Sequence, residues 1–448
     1  MAERLSDLTE RLLAAARKAG ASDADAIAYT DAAVSVDVRG GVLEQAERAE
    51  RTEIGLRVLV GRRQSCVAAS DLSDRTIADM AERAVAMAKE APEDPSVGLA
   101  DPAQLSAVRD AAALDLFDPA PEPDAAALER DAREAEAAAL SVEGVTKVDS
   151  ASASYGWRQV HLAATNGFAG GYGRTSRSIS AVAISGDGLS MERDWAAESR
   201  IWQADLPGAE GIGRQAGERA VERANPRKVK TGAFPVVYHE RVAGSLIGHL
   251  LGAVNGSGIV RGSSWLRDAL GTEVLPKGLS VTEDPHRARI AGSRPFDDEG
   301  LATQRRDIVA DGVLTGWTLD LGTARRLGMT STGSASRGLS SPPSPSVSNV
   351  ALSEGTASLD DLLAQMGTGM LITSMIGSTI NPTTGDYSRG AAGFWVEGGQ
   401  VKWPVSGVTI AGNLRDMLRR ITPANDARKH LTMVVPSLLV EGLTLAGE

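Results

Sequence analysis

The sequence of 448 residues is poor in the residue types on which several protein classes depend. It has a single cysteine, Cys66, which excludes an intrachain disulfide and a zinc cluster built from several thiolates. Only 4% of the residues are aromatic although 42% are hydrophobic, so alanine, valine and leucine must fill most of the core. No run of 18 apolar residues occurs, and therefore no membrane-spanning helix is expected.

The balance of charge argues against nucleic acid as a partner. The net charge is -11, and no block of lysine and arginine interrupts it. An acidic surface repels the phosphates of nucleic acid. The first twenty residues carry charges throughout, which is not typical of a signal peptide. We therefore expect a cytoplasmic protein that binds neither nucleic acid nor a membrane.

The spacing of apolar residues predicts an α+β protein with two domains. Leucine and alanine recur at helical spacing from residue 5 to residue 16, and "AVSVDVRGGVLEQ" alternates like a β-hairpin with a Gly-Gly turn. Residues 124–140 form an alanine-rich helix with Asp124 as its N-cap. The segment "ANPRKVKTG" predicts a boundary. We expect helices on an antiparallel sheet in residues 1–225 and a β-rich, barrel-like domain with a few helices in residues 226–448.

The stretch "HERVAGSLIGH" (239–249) resembles a metal-binding helix. In zinc peptidases two histidines lie one helical turn apart, whereas His239 and His249 are ten positions, or about 15 Å of helix rise, apart. The preceding "FPVVY" is typical of a strand, so the helix is predicted to begin near Glu240. One alternative stays open, in which the fold brings His239, Glu240 and His249 together in a rearranged metal site.

Two further segments carry polar side chains that could act chemically. "PFDDEG" (295–300) could bind a cation or take part in acid-base catalysis, although a capped turn explains it as well. "GDYSRGAAGFWVEGG" (385–399) has the glycine content of a loop. A serine nucleophile in that loop would need an adjacent base, and the segment offers none. Neither segment completes a catalytic site.

Four segments of the chain resemble one known family. They are "GTGMLITSMIGSTINPTTGDYSRGAAGFWVEGGQVKWPVSGVTIAGNL" (367–414), "FDDEGLATQRRDIVADGVLTGWTLD", "STGSASRG" and "GVLEQAERAERTEIGLRVLVGRRQSCVAASDLS". They resemble the PmbA/TldE branch of the TldD/PmbA family. The resemblance implies a TldD/TldE heterodimer that degrades unfolded peptides or processes peptide precursors. It also implies that the TldD-type subunit carries the zinc, through an HExxxH helix and a later cysteine.

The residues of this chain depart from the zinc motif that the resemblance implies. When Gly248-His249 is aligned with the end of that motif, Gly244 stands at the first histidine and Ser245 at the general-base glutamate. The later cysteine is also missing, because Cys66 lies far away in the first half. The resemblance therefore implies a subunit without catalytic residues or a metal of its own, with zinc in a TldD-like partner.

Under this interpretation, several residues are expected to face a peptide cavity or the subunit interface, as are the loops 331–350 and 385–395. These residues are His249, Asp298, Glu299, Asp386, Tyr387, Arg389 and Trp395. Two alternatives remain at this stage. The chain could be a self-sufficient metallopeptidase with the rearranged site, or a non-enzymatic regulatory binding protein.

Overall fold

The structure, a computed structural model, describes residues 4–447 and is a mixed α+β protein. No helix within these residues is both long and apolar enough to cross a membrane. The N-terminal part contains α1 (Leu5–Ala19), β1 (Asp23–Arg39), β2 (Val42–Val60), β3 (Arg63–Ala69), α2 (Asp74–Glu90), α3 (Ala125–Leu140), β4 (Val145–Ala164), β5 (Ala169–Ser185), β6 (Glu192–Arg200) and α4 (Ala209–Glu222).

The C-terminal part consists of many strands and a few short helices. Its elements are β7 (Gly232–Tyr238), α5 (Glu240–Ala253), α6 (Gly256–Arg261), β8 (Val281–Glu283), β9 (Arg306–Ala310), β10 (Val313–Leu314), α7 (Leu321–Leu327), β11 (Ala335–Ser336), β12 (Ser344–Pro345), β13 (Val350–Leu352), α8 (Leu359–Met366), β14 (Gly369–Ile380), β15 (Asp386–Glu397), β16 (Gln400–Asn413), α9 (Leu414–Leu418), β17 (Ile421–Pro423), β18 (Met433–Val434) and β19 (Leu438–Ala446).

The N-terminal sheet is antiparallel, with the strand order β3-β2-β1-β4-β5-β6. Successive side chains of a strand point to opposite faces, so the even-numbered residues of β1 share one face. Ala26 packs under α1 and α2, and Val36 packs under α3 and α4. Small residues allow α3 and α4 to pack closely. A Cβ on Gly213 of α4 would lie 1.9 Å from the Ala135 carbonyl oxygen of α3, so this position requires glycine. The predicted helices-on-sheet architecture is confirmed.

The C-terminal part contains a closed barrel of five strands. The strands follow the order β16-β15-β14-β7-β19, and a pairing between β16 and β19 closes the ring. On β7, Val236 and Tyr238 pack with the apolar residues of α5, whereas Val237 points outward to α8. His239 is the N-cap of α5, which begins at Glu240. The barrel-like fold and the start of this helix are therefore confirmed.

The predicted loop at residues 385–395 is wrong, because residues 386–395 belong to strand β15. The glycines that suggested a loop serve close strand packing instead. A Cβ on Gly393 would lie 1.9 Å from the carbonyl oxygen of Leu371 on the neighbouring strand β14. Glycine in a strand often marks such a close approach of two backbones.

A buried ion cluster joins the two parts of the chain. Asp25 of β1 accepts a hydrogen bond from Arg57 Nε at 2.5 Å and forms an ion pair with Arg337 of the loop 331–350. All three side chains are at most 5% exposed. Burial lowers the pKa of Arg337 to about 10, which leaves its guanidinium charged at neutral pH. One buried carboxylate is thus shared by two arginines from opposite parts of the molecule.

The loop 331–350 lies against the N-terminal sheet. A Cβ on Gly55 of β2 would lie 2.4 Å from the Leu339 carbonyl oxygen, so only glycine allows this approach. Residues at the centre of the loop therefore contact the sheet of the same chain, whereas we had expected the loop to face a cavity or a second subunit.

The acidic segment 297–299 is also enclosed between the two parts. Asp297 accepts hydrogen bonds from the backbone N–H groups of Glu299, Leu301 and Ala335, which makes it the capped turn that the sequence allowed. Glu299 accepts a hydrogen bond of 2.8 Å from the backbone N–H of Leu321, at the start of α7. Burial, and then the charge of Asp297, raises the pKa of Glu299 above its ordinary value of 4.5.

Replacing Asp25 with alanine should lower the free energy of unfolding by about 3–5 kcal/mol, because it leaves two buried arginines without a counter-charge. Urea denaturation followed by tryptophan fluorescence measures this loss. Asp79→Ala on the exposed face of α2 removes an equal charge and should change the stability little. Equal effects of the two substitutions would contradict the role assigned to the cluster.

Stability should fall as the pH rises from 4.5 through the raised pKa of Glu299. Over that range the folded state binds more protons than the unfolded state, since its carboxyl group stays protonated. The decline should be on the order of 1.4 kcal/mol for each unit by which the pKa is raised. Urea titrations across this range give the free energy of unfolding at each pH. In Glu299→Gln this free energy should depend less on pH than in the wild type. The exposed control Glu134→Gln should keep the wild-type slope.

Candidate functional site

Helix α5, which packs against strands β7 and β14 of the barrel, holds the residues of the candidate site. His249 is half-buried, and its ring meets the ring of Tyr387 edge-to-face with centroids 5.9 Å apart. Its Nε2 is buried and has no hydrogen-bond partner within the described residues. Burial, and then the positive charge of Arg389, lowers the pKa of His249 to about 4. The imidazole is therefore neutral at physiological pH.

The helix positions before His249 offer no metal ligand. A Cβ on Gly244 would lie 3.3 Å from the Met433 sulfur, so a thioether fills the space beside this position. Ser245 donates its hydroxyl hydrogen bond to the Val242 carbonyl oxygen at 2.7 Å, within its own helix. Its Oγ also lies 3.8 Å from the sulfur of Met375. Two methionines thus line the face of α5 where a zinc site would need imidazole, carboxylate or thiolate donors.

His239 and Glu240 lie at the opposite end of the helix from His249. His239 caps the helix, with Nδ1 accepting a hydrogen bond from Arg241 N at 3.3 Å. Glu240 N donates to Ser437 Oγ at 2.9 Å. Nine helical residues from Glu240 to His249 correspond to about 13.5 Å of rise, so the structure does not bring the three together. Across residues 4–447, no group of three His, Cys, Asp or Glu side chains could hold a metal ion.

Two tyrosines and an arginine surround His249. Tyr238 of β7 donates to the hydroxyl oxygen of Tyr387 at 3.4 Å, and the Tyr387 hydroxyl lies 3.8 Å from the Met375 sulfur. Arg389 Nε donates to the Gly377 carbonyl oxygen at 2.6 Å. Of the seven residues predicted to face a cavity or an interface, the structure brings His249, Tyr387 and Arg389 together.

The other four predicted residues lie elsewhere. Trp395 is 7% exposed and packs against Phe234 inside the barrel, so it belongs to the core and faces no cavity. The exposed Asp386 accepts hydrogen bonds from Thr384 Oγ1 and Asn413 Nδ2, which close the turn before β15. Asp298 and Glu299 lie between the two parts of the chain, where both line a small pocket of about 10 Å³ and Glu299 also borders a cleft of about 130 Å³. Trp395 faces the core because β15 is a strand whose alternate side chains point inward.

A cleft that the sequence did not reveal lies between β6 and β14. It encloses about 710 Å³ and reaches from the edge of the N-terminal sheet to the barrel. Its lining includes Trp195, Met191 and Ile376, which are 53%, 45% and 75% exposed. Met375 and Val242 also line the cleft, so it adjoins α5. The available signal was Trp195 within "MERDWAAESR", a large apolar residue between charged ones.

One buried ion pair sets the width of the cleft. Asp194 of β6 accepts a hydrogen bond from Arg241 Nη2 of α5 at 2.5 Å. Burial alone would raise the pKa of Asp194, but the hydrogen bond and charge of Arg241 bring it below its ordinary value. The Arg241 guanidinium lies 5.4 Å from the ring centroid of Trp195. The N-terminal sheet is thereby fixed to the helix that holds His249.

Models of one protein family match most of the chain. PmbA/TldA metallopeptidase domain 1 matches residues 24–88, the central domain matches 117–224, and the C-terminal domain matches 231–447. The chain is 36% identical over 431 residues to the metalloprotease PmbA of Escherichia coli O157:H7, covering 96% of this chain and 93% of that protein. It is 34% identical to a PmbA homologue of Haemophilus influenzae, covering 96% and 94%.

Solved structures have the same fold. A candidate modulator of DNA gyrase from Bacteroides thetaiotaomicron superimposes with a TM-score of 0.91 at 26% identity, covering 99% of this chain and 98% of that one. TldE from Thermococcus kodakarensis superimposes with a TM-score of 0.84 at 20% identity, covering 98% and 100%. The chain belongs to the PmbA/TldD metallopeptidase family, on its PmbA/TldE branch.

Proposed function

We propose that this chain is the non-catalytic subunit of a cytoplasmic metallopeptidase, and that a TldD-like subunit supplies the zinc and the hydrolytic chemistry. The observation that carries the proposal is the face of α5 before His249. Gly244 and Ser245 stand where the family resemblance assigns a zinc ligand and a general base, and Met433 lies against Gly244. The names of the metalloprotease relatives support a role within peptide hydrolysis.

The chemistry of the remaining side chains supports the same conclusion. Glycine has no donor atom, and the hydroxyl of Ser245 bonds to the backbone of its own helix. His249 alone would supply one of the three protein ligands that a catalytic zinc site requires. Its neutral imidazole, with a free Nε2 beside Tyr387, can instead accept a hydrogen bond from a donor that enters the barrel.

The cleft between β6 and β14 is the surface that we assign to unfolded peptide. An extended chain exposes apolar side chains that a folded protein buries, and Trp195 and Ile376 offer apolar contacts to them. The buried pair of Arg241 and Asp194 holds the wall of the cleft in place beside Trp195. Such a surface favours unfolded chains over folded ones and selects little by sequence.

The isolated chain should contain no stoichiometric zinc and should not cleave unfolded peptides. Its complex with a TldD-like subunit should contain zinc and should cleave them. Metal analysis and cleavage of an unfolded casein substrate, each with and without a chelator, test this. His249→Ala in this chain should leave the zinc content of the complex unchanged. Chelator-sensitive cleavage by the isolated chain, lost in His239→Ala or His249→Ala, would establish the self-sufficient enzyme instead.

Trp195→Ala should raise the KM of the complex for an unfolded peptide by about tenfold and leave kcat unchanged. The loss of one aromatic contact weakens binding by roughly 1.4 kcal/mol, and the bond-breaking groups lie in the other subunit. Steady-state kinetics measure both constants, and co-purification shows that the subunits still assemble. Met329→Ala removes another exposed apolar side chain, 42% exposed and outside the cleft, and serves as the control. An unchanged KM in Trp195→Ala would refute the assignment of the cleft.

A further inference from the structure

Strand β2 has one long edge that no other strand covers within residues 4–447. It pairs with β1 along its whole length, whereas β3 pairs with it only from Ile54 to Val60. Residues 42–51 are all exposed on both faces of the sheet. Uncovered edges present unpaired backbone groups to other chains, and proteins usually protect them with a bulge, a proline, a covering element or charges that repel other strands. Residues 45–53 lack a proline.

Two structural features limit the regular part of this edge. The register with β1 shifts from Asp37 opposite Gln45 to Val38 opposite Leu43, so a bulge at residue 44 precedes the segment. At the other end β3 begins to pair at Ile54. The regular, uncovered segment is therefore 45–53, and its midpoint is Ala49. Any strand that adds along the full segment must be centred on this residue.

The charges of the segment are symmetric about the same residue. Residues 47–51 read "ERAER". When a second copy pairs antiparallel about a two-fold axis through Ala49, Glu47 lies opposite Arg51 of that copy, and Arg48 lies opposite its Glu50. The symmetry repeats both contacts, which gives four pairs of opposite charge directly across the strands. Such pairs stabilise an antiparallel ladder, and like charges in these positions destabilise it.

We propose that this edge is a docking surface for a second copy of this chain, with β2 pairing with β2 about Ala49. The result is an isologous dimer in which the two N-terminal sheets join. The neighbouring symmetric registers are unfavourable, because an axis through Arg48 or through Glu50 sets that side chain against its own copy. The charges repel unrelated strands, and their order fits the same sequence running in the opposite direction.

The ion pairs within the chain leave these side chains available. Arg48 bonds to Glu50 of its own strand at 2.6 Å and also to Glu122, and Arg51 bonds to Asp31 of β1 at 2.9 Å. Both arginines are about half exposed, at 49% and 55%, so they can turn toward a second copy. One strand pair is smaller than the interfaces of roughly 1,200–2,000 Å² that make stable complexes. The dimer is therefore expected to depend on concentration and on salt.

Sedimentation velocity over a range of concentrations tests the proposal on the full chain. The average mass should rise from 46.6 kDa toward twice that value as the concentration increases, and less so at high salt. Arg48→Glu with Arg51→Glu gives an all-negative edge, and Glu47→Arg with Glu50→Arg gives an all-positive one. Each variant alone should stay monomeric, an equimolar mixture of the two should dimerise, and the fourfold variant should regain the wild-type mass.

Arg75→Glu with Arg83→Glu on the exposed face of α2 makes the same charge change away from the edge and should leave the dimer intact. Far-ultraviolet circular dichroism checks that every variant folds. The proposal fails if both edge variants dimerise alone, or if their mixture stays monomeric. It fails equally if the wild-type chain is monomeric at every concentration and the edge variants lose only a TldD-like subunit. Neither result bears on zinc content or on peptide cleavage.

Discussion

The arrangement of the whole molecule depends on a buried carboxylate that is shared by two arginines. Asp25 binds Arg57 of its own sheet and Arg337 of a loop that begins beyond residue 330. Because a buried charge is costly unless it is paired, the loop and the sheet keep one relative position. The cleft between β6 and β14 has a defined width for the same reason, since Asp194 and Arg241 form a second buried pair across it. The shape of the cleft therefore depends on two buried ion pairs, one of which lies in its own wall.

The barrel domain illustrates how a family fold can keep a helix without the metal ligands that the family resemblance implies for it. Helix α5 packs through Leu246, Ile247 and Leu250, and none of these contacts requires a metal. The face that would need ligands carries Gly244, against which the Met433 sulfur lies. Since packing supplies the stability of the helix, the positions for ligands are free to hold other residues. Under the proposed function, a subunit of this kind contributes surface and shape, and its partner carries out the reaction.

The sequence predicted those features that depend on local periodicity. The helix before Gly20 and the Asp124 N-cap were found, and so was the start of α5 at Glu240, because helical spacing and capping act within a few residues. Strand β15 was misread as a loop. Its glycines are needed by the backbone of β14, which pairs with it in the barrel, and nothing within the segment itself reveals that neighbour.

The sequence by itself determined the family, the α+β class and the absence of a zinc motif, because each of these depends on the identity and spacing of residues. It also contained the charge palindrome around Ala49, although only the sheet shows that this segment is an uncovered edge. The tertiary structure alone decided that Trp395 is core, that Glu299 is enclosed, and that β6 and α5 share a cleft. These facts depend on contacts between residues far apart in the chain. Burial and proximity are properties of the closed barrel and the joined sheets, so local sequence does not encode them.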